Sequence, residues 1–109
     1  MKLLCALEAI VDGGALALEA TLQGRAQPLV LVRRGEEVWG YHNRCPHFSV
    51  PLDFRPGEFS TYRSQVLMCA HHSALFRFED GHCIEGPCTG SRLEAVPVAV
   101  VQGRVVLVQ

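Results

Sequence analysis

Two short clusters of cysteine and histidine are the residues in this chain best suited to metal chemistry. The first has Cys45 and His47 in a C-x-H arrangement, and the second has Cys69 followed by His71 and His72. Thiolate sulfur and imidazole nitrogen are the ligands that proteins use for zinc, copper and iron–sulfur clusters. Two such clusters at the ends of one long segment therefore indicate a metal site.

The order of these residues bears on which metal is bound. Zinc fingers usually place a CxxC pair before an HxxxH pair, whereas here each cluster supplies one cysteine and one histidine. A tetrahedral zinc site accepts this set, but a [2Fe–2S] centre with two thiolates on one iron and two imidazoles on the other uses it more naturally. Spacing alone leaves His71 and His72 as alternative ligands, because Cys69-x-His71 would mirror Cys45-x-His47.

The segments that must position the clusters have the patterns of β-strands. Residues 38–41 form the second strand of a predicted hairpin that leads to Cys45, and residues 66–68 form a strand that leads into Cys69. Prolines and glycine between the clusters exclude a long helix. Residues 95–101 and 105–108 are predicted to form a closing hairpin. The chain is therefore predicted to be all-β, with a sandwich or barrel built from its two ends and a metal-binding insertion.

Composition describes one globular domain with no electrostatic preference for nucleic acid. The 109 residues are 49% hydrophobic and 19% charged, with a formal net charge of −1. Glu8 and Asp12 interrupt an N-terminal apolar stretch that is too short for an export signal. The five cysteines are then expected to be reduced thiols or metal ligands in a cytoplasmic protein. Whether Cys83 and Cys88 pair stays open.

Together these motifs resemble those of Rieske-type [2Fe–2S] ferredoxins. The C-x-H and C-x-x-H pattern carries the likeness, and the downstream segments 74–76, 80–81 and 86–90 add to it. The resemblance implies a Rieske-like β-sandwich base with a small inserted cluster-binding subdomain, within a single domain over residues 1–109. The subdomain is expected at roughly residues 43–90. The resemblance also implies one [2Fe–2S] cluster per chain, with the ligands Cys45, His47, Cys69 and His72.

Further residues are expected to flank this cluster. They are Pro46, Phe48, His71, Ser73, Ala74, Phe76 and Pro87, the last in a loop that shields the cluster in the family. Val50 and His71 occupy the positions where quinol-oxidising members carry a disulfide, which implies the soluble ferredoxin branch. Ala74 and Phe76 stand where high-potential members have serine and tyrosine hydroxyl donors, which implies a low reduction potential.

A cluster whose four positions are all filled by protein side chains leaves no position for a substrate, so an electron carrier is predicted and not an enzyme. Rieske oxygenases need a second iron site in a further domain, which this chain is too short to contain. The resemblance implies redox protein partners, a flavin-dependent reductase and a terminal oxygenase, and neither nucleic acid nor membrane. Two alternatives remain: the small subunit of a larger reductase of the nitrite reductase type, and a zinc-stabilised interaction module.

Overall fold

The computed structural model describes residues 2–46, 51–53, 55, 58–69, 74–86 and 89–108. Within this part of the chain, eleven strands form three antiparallel sheets. One short 3₁₀ helix lies at Leu7–Ala9. The strands are β1 (Lys2–Ala6), β2 (Ala15–Leu22), β3 (Arg25–Arg34), β4 (Glu37–His42), β5 (Ser60–Tyr62), β6 (Val66–Met68), β7 (Leu75–Arg77), β8 (Cys83–Glu85), β9 (Ala95–Val96), β10 (Val98–Val101) and β11 (Arg104–Leu107). The predicted all-β fold is confirmed.

Two of the sheets pack face to face as the base of the molecule. One has the strand order β1-β11-β10 and the other β2-β3-β4-β9. Leu31 of β3 packs with Val105 of β11 in one buried cluster, and Leu29 packs with Leu107 in a second. These contacts remove the inner faces of both sheets from water, which is the main stabilising contribution in a β-sandwich.

Strand β3 is the structural centre because both of its faces are buried. Leu29 and Leu31 face the first sheet, while Val30 and Val32 belong to the core that contains Cys45 and Cys69. All four side chains are fully buried. A continuous apolar run, rather than strict alternation, is the pattern of a strand covered on both sides.

The third sheet, β5-β6-β7-β8, is an insertion into the base. It lies in sequence between β4 and β9, which pair with each other through Gly40–Val96 and Tyr41–Ala95. The chain therefore leaves and rejoins the base at adjacent positions. This arrangement confirms an inserted subdomain, which is held against the base by the core around Val30 and Val32.

The prediction that residues 95–101 form one strand is wrong. The structure divides this segment at Pro97, with β9 pairing with β4 in the second sheet and β10 pairing with β11 in the first. Proline has no backbone N–H to continue a ladder, so the chain changes sheets there. Across the described ranges, no helix is long and apolar enough to span a membrane.

Candidate metal centre

Cys45 and Cys69 are far apart in sequence, yet the fold brings both into one buried core. Cys45 follows the end of β4, and Cys69 comes directly after β6. Both residues are fully buried and belong to the same hydrophobic core as Leu52, Ala74 and Phe76. Two thiols at the starts of two loops, in one apolar core, fit the cysteine half of a centre with two cysteine and two histidine ligands.

The other predicted site residues are divided between described and undescribed positions. Pro46 is exposed beside Cys45, while Ala74 and Phe76 are fully buried. His47, Phe48, His71, His72, Ser73 and Pro87 lie outside the described residues, as does Cys88. Among the described residues, no group of three or more histidine, cysteine and acidic side chains is placed to bind a metal ion. The choice of ligands therefore stays a prediction.

A backbone hydrogen bond joins the two ends of residues 69–74, which we call the second metal loop. The N–H of Cys69 donates to the carbonyl oxygen of Ala74 at 2.8 Å, and the preceding pair in the ladder is Met68 with Leu75. The segment that contains both histidines thus begins and ends at one fixed point.

Asn43 joins the two ends of residues 43–53, which we call the first metal loop. Its side chain is buried, with Oδ1 accepting from the N–H of Leu52 at 2.8 Å and Nδ2 donating to Oδ1 of Asp53 at 3.3 Å. Its own N–H donates to the carbonyl of Pro28 at 2.9 Å, at the start of the buried part of β3. One amide therefore joins both ends of the loop that contains Cys45. The sequence analysis missed this residue, although asparagine at a loop start commonly binds nearby backbone.

Replacing Asn43 with alanine is expected to destabilise the first metal loop. The N–H of the fully buried Leu52 would lose its acceptor, which costs about 1–3 kcal/mol when no replacement is found. Denaturant unfolding and the rate of iron release to a chelator measure the effect. Gln27→Ala is the control, because Gln27 is a half-buried amide close to the same loop. Equal effects of the two substitutions would contradict the role assigned to Asn43.

A third loop packs directly against the second metal loop. Gly86 has φ +111°, and a Cβ added to it would lie 2.7 Å from the Cα of Ala74. The carbonyl of Gly86 accepts from both the N–H and the hydroxyl of Thr89, at 3.2 and 2.6 Å, which forms a tight turn. The sequence analysis selected this segment as the shielding loop. The structure adds that only glycine fits where its backbone meets Ala74.

Tyr41 joins the base to the inserted sheet. Its buried hydroxyl donates to the carbonyl of Phe78, just after β7, and the edge of its ring packs against Gly81. Burial raises the pKa of Tyr41, with further contributions from the negative charges of Asp80 and Glu79, so the hydroxyl stays protonated and able to donate.

Asp80 stabilises the turn that follows β7. Its carboxylate accepts from the guanidinium of Arg77 and, at 2.9 Å, from the N–H of His82. The hydrogen bond from Arg77 is the main reason that the pKa of Asp80 lies below its usual value. Asp80 and Gly81 of the sequence motif thus lie in the turn that follows Phe78, whose carbonyl accepts the hydrogen bond from Tyr41.

The core around the two thiols has few polar groups. Of its described members, only Tyr41 carries a hydroxyl, and this hydroxyl donates a hydrogen bond to the carbonyl of Phe78. Cys83 lies in the same core, where its thiol contacts the carbonyl oxygen of Glu85 at 3.3 Å. An apolar environment of this kind excludes water and sets the redox properties of a metal centre.

Comparison with family models identifies the class of protein. The model of the Rieske [2Fe-2S] domain matches residues 4–102. The chain therefore belongs to the Rieske [2Fe–2S] domain family and carries one [2Fe–2S] cluster. Because such a cluster is a redox centre, the chain is an electron-transfer protein. The alternative of a zinc-stabilised module is set aside. No curated protein matches the chain.

Solved structures with this fold include both partners of one oxygenase system. The ferredoxin of carbazole 1,9a-dioxygenase from Nocardioides aromaticivorans IC177 matches with a TM-score of 0.73 and 19% identity, covering 98% of this chain and 94% of that one. The terminal oxygenase of the same system matches with a TM-score of 0.76 and 22% identity, covering 99% of this chain but 30% of that one. At these identities the matches establish the fold.

Proposed function

We propose that this chain is the ferredoxin of an oxygenase system, passing single electrons from a flavin-dependent reductase to a terminal oxygenase. The observation that carries the proposal is the extent of the structural matches. The chain covers 94% of a ferredoxin but 30% of a terminal oxygenase. A related match comes from a complex of reduced oxygenase and oxidised ferredoxin, at a TM-score of 0.73 and 24% identity, covering 98% of this chain and 90% of that one.

The proposed ligands are Cys45 and Cys69 on one iron, with His47 and His72 on the other. When bound, the cluster supplies one-electron chemistry, and its four protein ligands leave no position for a substrate. The side chains of Val30, Val32 and Phe76 exclude water from the cysteine side. We also propose a single domain over residues 1–109, a cluster-binding subdomain at roughly residues 43–90 and a cytoplasmic location. The pairing of β4 with β9 supports the subdomain limits.

Reconstitution tests this function. The holoprotein is combined with NADH and with the flavin-dependent reductase and terminal oxygenase encoded nearest to its gene, and substrate oxidation is followed. The proposal expects turnover that requires the chain and rises with its concentration. Turnover that does not depend on the chain would contradict it. Stable co-purification with a large reductase subunit would instead support the nitrite reductase type of assembly.

The reduction potential is expected to lie at the low end of the Rieske range, around −150 mV. Ala74 and Phe76 are fully buried beside Cys69 and have no hydroxyl to stabilise the more negative reduced cluster. Ala74→Ser and Phe76→Tyr should each favour the reduced form by about 1 kcal/mol, or tens of millivolts for one electron. Protein film voltammetry measures these shifts.

Phe78→Tyr is the matched control for this potential shift. Phe78 lies in the same core, and the substitution adds the same hydroxyl two positions along the chain. It is expected to leave the potential nearly unchanged. A wild-type potential near the top of the Rieske range would show that other donors dominate, and that the missing hydroxyls do not set it.

A further inference from the structure

A concave site lies beside Cys45, one of the proposed cluster ligands. Its described lining consists of His42, Arg44, Cys45, Pro46, Arg92 and Glu94, around a volume of about 270 Å³. Two neighbouring hollows, of about 190 and 450 Å³, share His42 and Arg44 with it. The three hollows adjoin one another at His42 and Arg44, and together they make up the concave surface at the end of β4. We call it the Cys45 groove.

Backbone hydrogen bonds fix the two sides of the Cys45 groove relative to each other. The N–H of His42 donates to the carbonyl of Glu94 at 2.9 Å, and the N–H of Leu93 donates to the carbonyl of Gly81 at 2.9 Å. Arg92 forms an isolated antiparallel bridge with His82. The groove is therefore preformed, and its charged side chains project from backbone that is held in place.

Two arginines in the groove have charges that the described structure does not neutralise. Arg44 and Arg92 are exposed, and within the described ranges neither forms an ion pair or a side-chain hydrogen bond. Arg34 and Arg77, by contrast, pair with Glu79 and Asp80. Arg44 and Arg92 both line the hollow beside Cys45, in a chain whose formal net charge is −1.

The one acidic side chain among the described groove residues is oriented towards a different partner. Oε2 of Glu94 lies 4.0 Å from Nε2 of His42, whose side chain is 17% exposed. The groove is then left with the two positive charges of Arg44 and Arg92 against the single negative charge of Glu94. Guanidinium groups bind carboxylates in a bidentate manner, so exposed arginines beside a redox centre suit an acidic surface.

We infer that the Cys45 groove docks an acidic face of a protein redox partner, whose carboxylates bind Arg44 and Arg92. This inference rests on the proposed function and adds the face and the charge of the partner. Docking here places the partner beside Cys45, one of the proposed cluster ligands. Opposite charges also increase the rate of encounter, and salt weakens this effect.

Small charged oxidants test the groove without a known partner. The holoprotein is reduced, and its oxidation by ferricyanide or by hexaammineruthenium(III) is followed by stopped flow; each reagent takes one electron from the reduced cluster. The variant R44Q/R92Q is compared with R63Q/R104Q, which removes the same net charge. Arg63 lies in the turn before β6 and Arg104 on β11, and both are exposed and outside the groove.

At an ionic strength of about 10 mM, where the Debye length is about 30 Å, R44Q/R92Q should be oxidised several-fold more slowly than R63Q/R104Q by anionic ferricyanide. With cationic hexaammineruthenium(III), the order of the two variants should reverse. The differences should shrink towards zero at about 1 M salt, where the Debye length is about 3 Å. Poly-L-glutamate should slow the ferricyanide reaction of the wild type more than that of R44Q/R92Q.

The outcomes separate the docking site from the proposed function. Equal ferricyanide rates for the two double variants, or equal inhibition by poly-L-glutamate, would overturn the docking site while the protein still exchanges electrons. A wild-type protein that exchanges electrons with neither reagent overturns the proposed function, and the docking site with it. A further variant, E94Q, is expected to accelerate the ferricyanide reaction, and no change in its rate would count against the groove as the anion site.

Discussion

Replacing His72 with alanine is expected to abolish the [2Fe–2S] cluster, whereas replacing His71 with alanine leaves it assembled. The family pattern places the second histidine ligand three positions after Cys69. The hydrogen bond from Cys69 to Ala74 joins the two ends of the segment that contains both histidines. Loss of the ligand leaves an iron open to water. Iron and sulfide per chain, with visible absorption, measure assembly.

Substitutions of the other three proposed ligands extend this test to the first metal loop and to the iron proposed to be held by the two cysteines. Cys45→Ser, His47→Ala and Cys69→Ser should each lose the cluster or greatly reduce its content. His42→Ala is a control, because His42 lies on β4, before the first metal loop. The assignment would be reversed if His71→Ala lost the cluster while His72→Ala retained it.

Gly86→Ala is expected to cause a large loss of stability. A side chain at φ +111° is strained, and the added Cβ would lie 2.7 Å from the Cα of Ala74, which is backbone and cannot simply rotate away. Backbone strain of this kind costs about 1–3 kcal/mol, and the steric contact adds to it. Displacing the loop also uncovers the second metal loop, so the cluster should be lost faster in air.

Gly90→Ala separates the two causes. Gly90 lies in the same loop with φ +97°, but a Cβ there would meet nothing within 4 Å. It therefore reports backbone strain without the contact. Denaturant unfolding and the decay of visible absorption should both show a larger effect for Gly86→Ala. Similar effects in the two variants would mean that the contact with Ala74 does not hold the loop in place.

The features of the fold that depend on local pattern could be predicted from sequence. The apolar run from Leu29 to Val32 lies in β3, and the second strand of the predicted hairpin lies in β4, with Val32 opposite Trp39. The two cysteines were selected because their chemistry is rare and their spacing is distinctive. The structure places both in one core, as that interpretation requires.

The features that depend on distant contacts could not be predicted in the same way. Asn43 is one polar residue among several near the first metal loop, and only the folded chain brings Leu52 to its side chain. The break at Pro97 depends on which sheet each half of the segment joins. Arg44 and Arg92 are far apart in sequence, and only the folded chain makes both of them line the Cys45 groove.

The central claim is that the cluster is held by two cysteines and two histidines, and pulsed EPR on the reduced protein tests it most directly. The chain is produced with nitrogen-15 only in its histidines, and electron–nuclear double resonance records the nitrogens coupled to the paramagnetic cluster. Two strongly coupled histidine nitrogens are predicted. A [2Fe–2S] signal without such couplings would show all-cysteine ligation, and a protein with no signal after reduction would have no such cluster; either result would contradict the account.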